Sequence, residues 1–155
     1  MSKEKNKYKP RIVCVDFDGV IHGYENGWTG PYKIDGSVVP GALEFLYRAT
    51  QYYDVCIFSS RTRYPFAHFY MKEWLREKFF WYFVNSREYR TPQTSIAYRE
   101  ADRVVGDLRF PLLKPPAHVF IDDRALQFTG TFPRVEQLQH FYPWKTTIKE
   151  NKENE

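Results

Sequence analysis

The chain has few of the residues that form covalent or metal cross-links. Its 155 residues include two cysteines, two methionines and four histidines. No Cys or His spacing matches a zinc finger, which excludes that class of small metal-stabilised domain. Cys14 and Cys56 both lie in apolar runs, which is typical of small core residues in a reduced, intracellular protein.

Long apolar segments are also missing. No stretch approaches the roughly 20 apolar residues that span a membrane, and the lysine-rich start lacks the apolar region of a signal peptide. We therefore expect a cytoplasmic protein with no membrane partner. The net charge of +4 is mild and no basic repeat is present, so the charge is compatible with anionic substrates but does not require nucleic acid.

Aromatic residues, by contrast, are abundant. Twelve Tyr, thirteen Phe and four Trp make up 19% of the chain. The simplest interpretation is an aromatic-rich core. The alternative is a surface on which bases or sugars stack.

Short apolar runs alternate with helical patterns along the chain. The run Ile12–Phe17 predicts a buried parallel strand, and the apolar runs Val55–Ser60 and "HVFI" predict two further strands. Their alternation with helices predicts an α/β fold with a mostly parallel central sheet, arranged as a Rossmann-like three-layer sandwich. The length predicts one domain at 11–144, between a disordered basic tail at 1–10 and a polar tail at 145–155.

The helical segments have apolar residues three and four positions apart. They are "VVPGALEFLYRATQYYD", "YPFAHFYMKEWLREKF" and "PQTSIAYREADRVV", with Pro40 and Pro92 near the starts of the first and third. "FFWYFV" fits either a strand or the end of the second helix. The buried face of that helix is expected to contain Phe66, Phe69, Tyr70, Trp74 and Leu75.

A glycine-rich segment follows the first predicted strand. Within it, "YENGWTGPYKI" has an Asn-Gly pair between aromatic flanks, which is a hairpin signal. We expect a small β-flap at about residues 20–37. Its aromatic residues Tyr24, Trp28 and Tyr32 either pack on the domain or stack on a substrate.

Polar residues follow all three predicted strands, and the carboxyl ends of parallel strands meet at one edge of a sheet. Four carboxylates at one edge would repel each other strongly, and a divalent cation such as Mg²⁺ relieves that repulsion. A nearby lysine and a hydroxyl would serve a phosphoryl group held there. The residues are Asp16 and Asp18, then Ser59, Ser60 and Arg61, then Lys114, and finally Asp122 and Asp123.

The order "DFDGV", "FSSR", "K", "IDDR" resembles the haloacid dehalogenase superfamily of Mg²⁺-dependent phosphohydrolases, in particular the small phage and bacterial members without a large cap domain. The resemblance implies that Asp16 is the nucleophile and that Asp18 is the general acid/base, with its backbone carbonyl as a metal ligand. It also implies that Ser59 holds a phosphate oxygen and that Lys114 neutralises the transferring group. Asp16 and Asp18 would hold the metal together with the acid pair Asp122 and Asp123, and which of these two coordinates it directly stays open.

Several assignments stay open at this stage. Gly19, Ser60, Arg61 and Arg124 are candidates for substrate binding, but a surface arginine such as Arg61 is usually just solvated, and Arg124 could equally pair with nearby acids. Ser59 or Ser60 could instead cap the segment that follows. Arg109 and Lys145 are alternatives to Lys114, and His22 fits a structural role better than a ligand role.

These residues predict a phosphomonoester hydrolase that works through an aspartyl-phosphate. An uncapped site is open and suits bulky substrates, so the predicted substrate is a nucleotide or a polynucleotide-end phosphate. A metal-dependent nuclease is the rival among enzymes. A binding module that kept the fold and lost turnover is the rival outside them.

Overall fold

The computed structural model describes residues 11–85 and 94–143. The predicted tails at 1–10 and 145–155, the helix-starting Pro92 and the alternative cation Lys145 lie outside the described residues. The chain divides into two compact units, Met1–Ile121 and Asp122–Glu155.

The first unit contains a three-stranded sheet. Its strands are β1 (Ile12–Val15), β2 (Asp54–Ile57) and β3 (Val119–Ile121), in the order β2-β1-β3. Both pairings are parallel, with Val15 opposite Ile57 on one side and opposite Ile121 on the other. The predicted α/β class with a parallel sheet is therefore confirmed.

The two outer strands differ in how far they are covered. Beyond β2, the backbone of Arg109 exchanges hydrogen bonds with Val55 and Ile57, at 3.0 and 2.7 Å. β3 is only partly covered, since Val119 and Phe120 expose 43% and 40% of their surface. An apolar strand of three residues at the edge of a sheet has a neighbouring strand on one side only, which leaves these side chains partly exposed.

The helices of the first unit are α1 (Ala42–Tyr52), α2 (Ala67–Asn85) and α3 (Thr94–Asp107), and a 3₁₀ turn covers Ser60–Arg63. The "FFWYFV" segment belongs to α2, which resolves its two interpretations in favour of a helix. α2 and α3 pack against each other. The second unit contains a short helix, α4 (Val135–Leu138).

The buried face of α2 differs from the predicted one. Trp74 and Leu75 are buried as expected, but Phe66, Phe69 and Tyr70 expose at least half of their surface. Apolar and charged residues are both spread around α2, so its hydrophobic pattern does not select one face. The residues that α2 buries are spaced by three or four positions: Ala67, Met71, Trp74, Leu75, Phe79 and Phe83.

One apolar core joins the strands to the helices of this unit. The strands supply β-branched side chains to it, and α1 supplies Leu46 and Ala49. The small residues Ala97 and Ala101 let α3 approach the core closely. Its other members include Val13, Val15, Val55, Ile57, Met71, Leu75, Phe79, Val104 and Val105.

The flap, residues 20–37, is a loop with paired ends rather than a hairpin of strands. His22 and Val38 form an isolated antiparallel bridge, and the Gly23 N–H donates to the Ser37 carbonyl at 2.6 Å. At the tip, the Gly27 N–H donates to the Tyr24 carbonyl at 3.2 Å. The turn therefore covers residues 24–27 and has Gly27 as its fourth residue. The Asn-Gly signal predicts a turn in which this glycine is the third residue.

Across the described residues, the helices are too short or too polar to cross a membrane.

Candidate active site

Asp16 directly follows the central strand, at the edge where all three strands end. Its N–H donates to the Ile121 carbonyl at 2.9 Å, and its carboxylate accepts the Phe17 N–H at 2.7 Å. On the other side, the Phe58 N–H donates to the Val15 carbonyl at 3.0 Å. The residues that follow β2 therefore run beside Asp16, and the backbone of the last residue of β3 contacts it.

The acid pair begins immediately after β3, since Asp122 is bonded to Ile121. The Asp122 carboxylate accepts the Arg124 N–H at 2.8 Å, which closes a local turn. Asp16 in the first unit and Asp122 and Asp123 in the second unit all have carboxylate side chains, whose oxygens are chemically suited to bind a metal ion. An all-oxygen donor set of this kind fits a hard divalent cation such as Mg²⁺.

Asp18 lies in the tight turn after β1. The N–H groups of Ile21 and His22 both donate to the Phe17 carbonyl, at 2.9 and 2.8 Å. Gly19 has a φ of 87°, a left-handed conformation that glycine adopts without steric cost. The turn leaves the Asp18 side chain 13% exposed and beside two basic side chains, His22 and Arg61.

Arg61 is completely buried and paired with Asp18. Its Nε donates to both carboxylate oxygens, at 2.8 and 3.1 Å, and its Nη2 donates to Oδ1 at 2.9 Å. Nη1 donates to three flap carbonyls, those of Gly30, Pro31 and Lys33, at 2.8 to 3.2 Å. Arg61 is therefore not the solvated surface residue considered from the sequence, and its guanidinium contacts protein groups in this structure.

His22 is buried and lies between Asp18 and the flap. Its Nδ1 lies 2.9 Å from Asp18 Oδ1, and its Nε2 accepts the Gly36 N–H at 2.8 Å. A backbone N–H can only donate, so Nε2 carries no proton and Nδ1 carries it. His22 is thus a neutral donor to Asp18, a structural role of the kind the sequence favours.

The pKa of Asp18 reflects these partners. Burial alone would raise it, but hydrogen bonds from His22 and Arg61, together with the positive charge of Arg61, lower it below the ordinary value of 3.8. The carboxylate is therefore ionised at neutral pH.

The hydroxyl and lysine candidates occupy different environments. Ser59 is buried, and its side chain accepts the Arg61 N–H at 3.2 Å, which caps the 3₁₀ turn. Ser60 is exposed. Lys114 is exposed as well, and its ammonium group lies 4.5 Å from the centre of the Phe120 ring. The alternative cation Arg109 pairs with Asp54 at 3.1 Å.

Exposed aromatic side chains lie on and beside the flap. Trp28 packs over the Arg61 guanidinium at 4.8 Å, with Tyr64 nearby, and Tyr32 lies against Tyr70 of α2. Tyr24 contacts the edge of His22. We call six aromatic residues of the flap and of the segment 64–70, each exposing at least 40% of its surface, the aromatic surface: Trp28, Tyr32, Tyr64, Phe66, Phe69 and Tyr70.

Sequence reasoning missed the link between Asp18 and the flap. The four-residue spacing of Asp18 and His22 gave a signal, because a tight turn brings such positions together. No local pattern marks Gly36 as the backbone partner of His22, since the two are fourteen residues apart.

A separate groove of about 680 Å³ lies between α1 and the β1–β3 part of the sheet. Its walls are mostly apolar, including Phe45, Tyr52 and Val119. None of the predicted site residues lines it, so it does not identify the active site.

Comparison of the chain with protein-family models, with curated proteins and with solved structures finds no match.

Proposed function

We propose that the protein is a Mg²⁺-dependent phosphomonoester hydrolase of the haloacid dehalogenase type, with a Rossmann-like three-layer fold and a cytoplasmic location. The observation that carries this proposal is the position of Asp16 at the end of the central strand of a parallel sheet, which is where α/β proteins bind their ligands. The location is supported by two buried thiols, which are typical of reducing compartments.

The proposed ligands of the metal are Asp16, Asp122, Asp123 and the backbone carbonyl of Asp18. When bound, Mg²⁺ would neutralise acid charge and polarise a phosphoryl oxygen. The oxygen chemistry of the donors supports this assignment.

The proposed reaction has two steps on phosphorus. A carboxylate oxygen of Asp16 attacks phosphorus, the bond to the leaving oxygen breaks, and Asp18, which has first taken up a proton from solvent, gives that proton to the leaving oxygen. Water then attacks phosphorus, its proton passes to Asp18, and the bond between Asp16 and phosphorus breaks. The neighbours of Asp18 favour its ionised form. In this structure Asp18 is therefore better suited to accept the proton of water in the second step than to donate a proton in the first.

The remaining candidates would bind the phosphoryl group. In this proposal the Ser59 hydroxyl donates to a phosphate oxygen and Lys114 neutralises the transferring group, with Gly19, Ser60 and Arg124 around the substrate. Arg61, the fourth substrate-binding candidate, is buried and paired with Asp18, so it would act through that carboxylate instead. Ser59 is supported by its place two residues after the end of β2. Lys114 has the weakest support, since the contact it makes is with Phe120.

A colorimetric assay tests the activity. We expect p-nitrophenyl phosphate to be hydrolysed in the presence of Mg²⁺, with turnover abolished in Asp16→Asn and by chelation. Beryllofluoride should inhibit, because it forms an analogue of the aspartyl-phosphate. Undiminished turnover in Asp16→Asn would contradict the mechanism and favour a two-metal nuclease, and no turnover by the wild type would favour a binding module.

We further propose that the substrate is a nucleotide or a polynucleotide-end phosphate. The aromatic surface supports this proposal, since exposed rings stack on bases of any sequence. Phosphorylated oligonucleotides should then be hydrolysed faster than sugar phosphates. Phe69→Ala should raise KM for the oligonucleotide and leave p-nitrophenyl phosphate unaffected, whereas Tyr98→Ala, which removes an exposed ring of α3, should change neither. Equal rates of hydrolysis of phosphorylated oligonucleotides and sugar phosphates would refute the proposed substrate class.

A further inference from the structure

We propose that His22 and Arg61 are positioning residues that fasten the returning half of the flap, residues 30–37, to Asp18. The Asp18 carboxylate then adopts its working orientation only while this half is in place. The inference rests on the proposed function, because it concerns the proton transfers assigned to Asp18.

The first link runs through Arg61. Its side chain is fully buried, and its Nε and Nη2 hold both oxygens of Asp18. The third nitrogen, Nη1, donates to the carbonyls of Gly30, Pro31 and Lys33. One planar guanidinium thus joins the carboxylate to the flap backbone, and its fixed fork geometry couples their positions.

The second link runs through His22. Its protonated Nδ1 contacts Asp18 and its unprotonated Nε2 accepts from the Gly36 N–H. Rotation of the ring would break both contacts. The ring also packs against Phe17 and Trp74, with centroid distances of 5.7 and 5.5 Å, which limits its freedom to move.

Gly36 is the flap position on which the second link depends. A Cβ atom added there would overlap the His22 ring and the Glu25 carboxylate. Replacing Gly36 with alanine should therefore displace His22 while leaving every side chain of the proposed chemistry in the sequence. The matched control is Ser37→Ala, since Ser37 is exposed and its hydroxyl bonds to Glu25, not to His22.

The network can be tested without any enzymatic assay. Long-range ¹H–¹⁵N NMR spectra of the histidine rings, assigned with His22→Gln, should show His22 as the Nδ1–H tautomer. Gly36→Ala should abolish that signature and Ser37→Ala should keep it. A His22 that is protonated at Nε2, or that averages both tautomers in the wild type, would overturn the proposal.

The kinetic test separates positioning from a merely structural role. Misplacement of a catalytic group by about 1 Å costs on the order of 100-fold, so Gly36→Ala should lower kcat by about 10- to 100-fold with little change in KM. Ser37→Ala should keep the wild-type kcat. His22→Asn, which retains a donor near Asp18 and loses the bond to Gly36, should behave like Gly36→Ala if that variant does not fold.

The outcomes distinguish this inference from the function on which it rests. If Asp16→Asn abolishes turnover while folded Gly36→Ala and His22→Asn both keep the wild-type kcat, the positioning role is wrong and the proposed function stands. If the wild type has no phosphatase activity, both fail as statements about catalysis. The proposal is supported if Gly36→Ala loses the tautomer signature and also has a lower kcat, while Ser37→Ala keeps both.

Discussion

At the scale of single residues, the Asp18–Arg61 pair is the most constrained feature of the candidate site. A buried charge without a partner is costly, because the protein interior does not solvate it as water does. Arg61→Ala leaves Asp18 without its main cationic partner and should lower the free energy of unfolding by about 3–5 kcal/mol. Urea denaturation measures this change.

Arg63→Ala is the matched control, because Arg63 is exposed and lies two residues away. Its effect should stay within about 0.5 kcal/mol. A loss below about 1 kcal/mol for Arg61→Ala would mean that the pair contributes little in solution.

The stability of the protein should also depend on pH through Asp18. Its pKa is lowered in the folded state relative to the unfolded value of about 3.8. The folded state therefore gains stability above pH 3.8 and loses it as the pH falls through the lowered folded pKa. Urea titrations at several pH values should show the difference between wild type and Asp18→Asn constant near neutrality and shrinking in acid. A difference that grew in acid would contradict the assignment.

At the scale of elements, the sequence predicted the strands more accurately than the helix faces. The apolar runs predicted the places of β1 and β2, although the predicted ranges Ile12–Phe17 and Val55–Ser60 extend two and three residues past the observed ends at Val15 and Ile57. α2 has apolar residues on every side with charged residues between them, and which face it buries depends on what α3 and the sheet present to it. That information lies outside the segment itself.

A pair of truncations tests the observed face of α2. Leu75 is fully buried and Phe69 is 52% exposed. Leu75→Ala should cost about 2–5 kcal/mol of unfolding free energy, because it leaves a cavity in the core. Phe69→Ala should cost far less, since water can occupy the space its ring leaves. If urea denaturation shows that both variants lose the same unfolding free energy, Phe69 is buried in solution, as the sequence predicted.

The contacts of the flap likewise could not be predicted from its own sequence segment. Its glycines and its Asn-Gly pair predicted a chain reversal near Gly27, and a reversal is there. The residues that return to Asp18 could not be predicted, because the contacts of Arg61 with Gly30, Pro31 and Lys33 link positions about thirty residues apart. Such contacts follow from the tertiary fold.

At the scale of the whole molecule, the sequence has four acidic residues at or near the ends of its predicted strands. Their positions predicted that the active site lies at one edge of a parallel sheet. The register of β1 with β2 and β3 supports that prediction for Asp16. The roles of Ser59 and Lys114 stay predictions, since the contacts they make are with protein groups. The motif order alone could not determine these contacts.

Magnesium should stabilise the folded protein if the acids hold it. An ion that binds only the native state adds about 2.7 kcal/mol at a free concentration 100 times its Kd. We expect Mg²⁺ to raise the melting temperature of the wild type and to lose this effect in Asp122→Asn. Glu77→Gln, which removes an exposed acid of α2, should retain it. An equal shift in all three proteins would indicate a non-specific salt effect.

The most direct test of the central claim is chemical capture of the aspartyl-phosphate. Rapid quenching of a reaction with Mg²⁺ and p-nitrophenyl phosphate, followed by borohydride reduction, converts a phosphorylated aspartate to homoserine. Peptide mass spectrometry should find homoserine at position 16 and at no other aspartate. Turnover that proceeds with Asp16 unmodified would contradict the account.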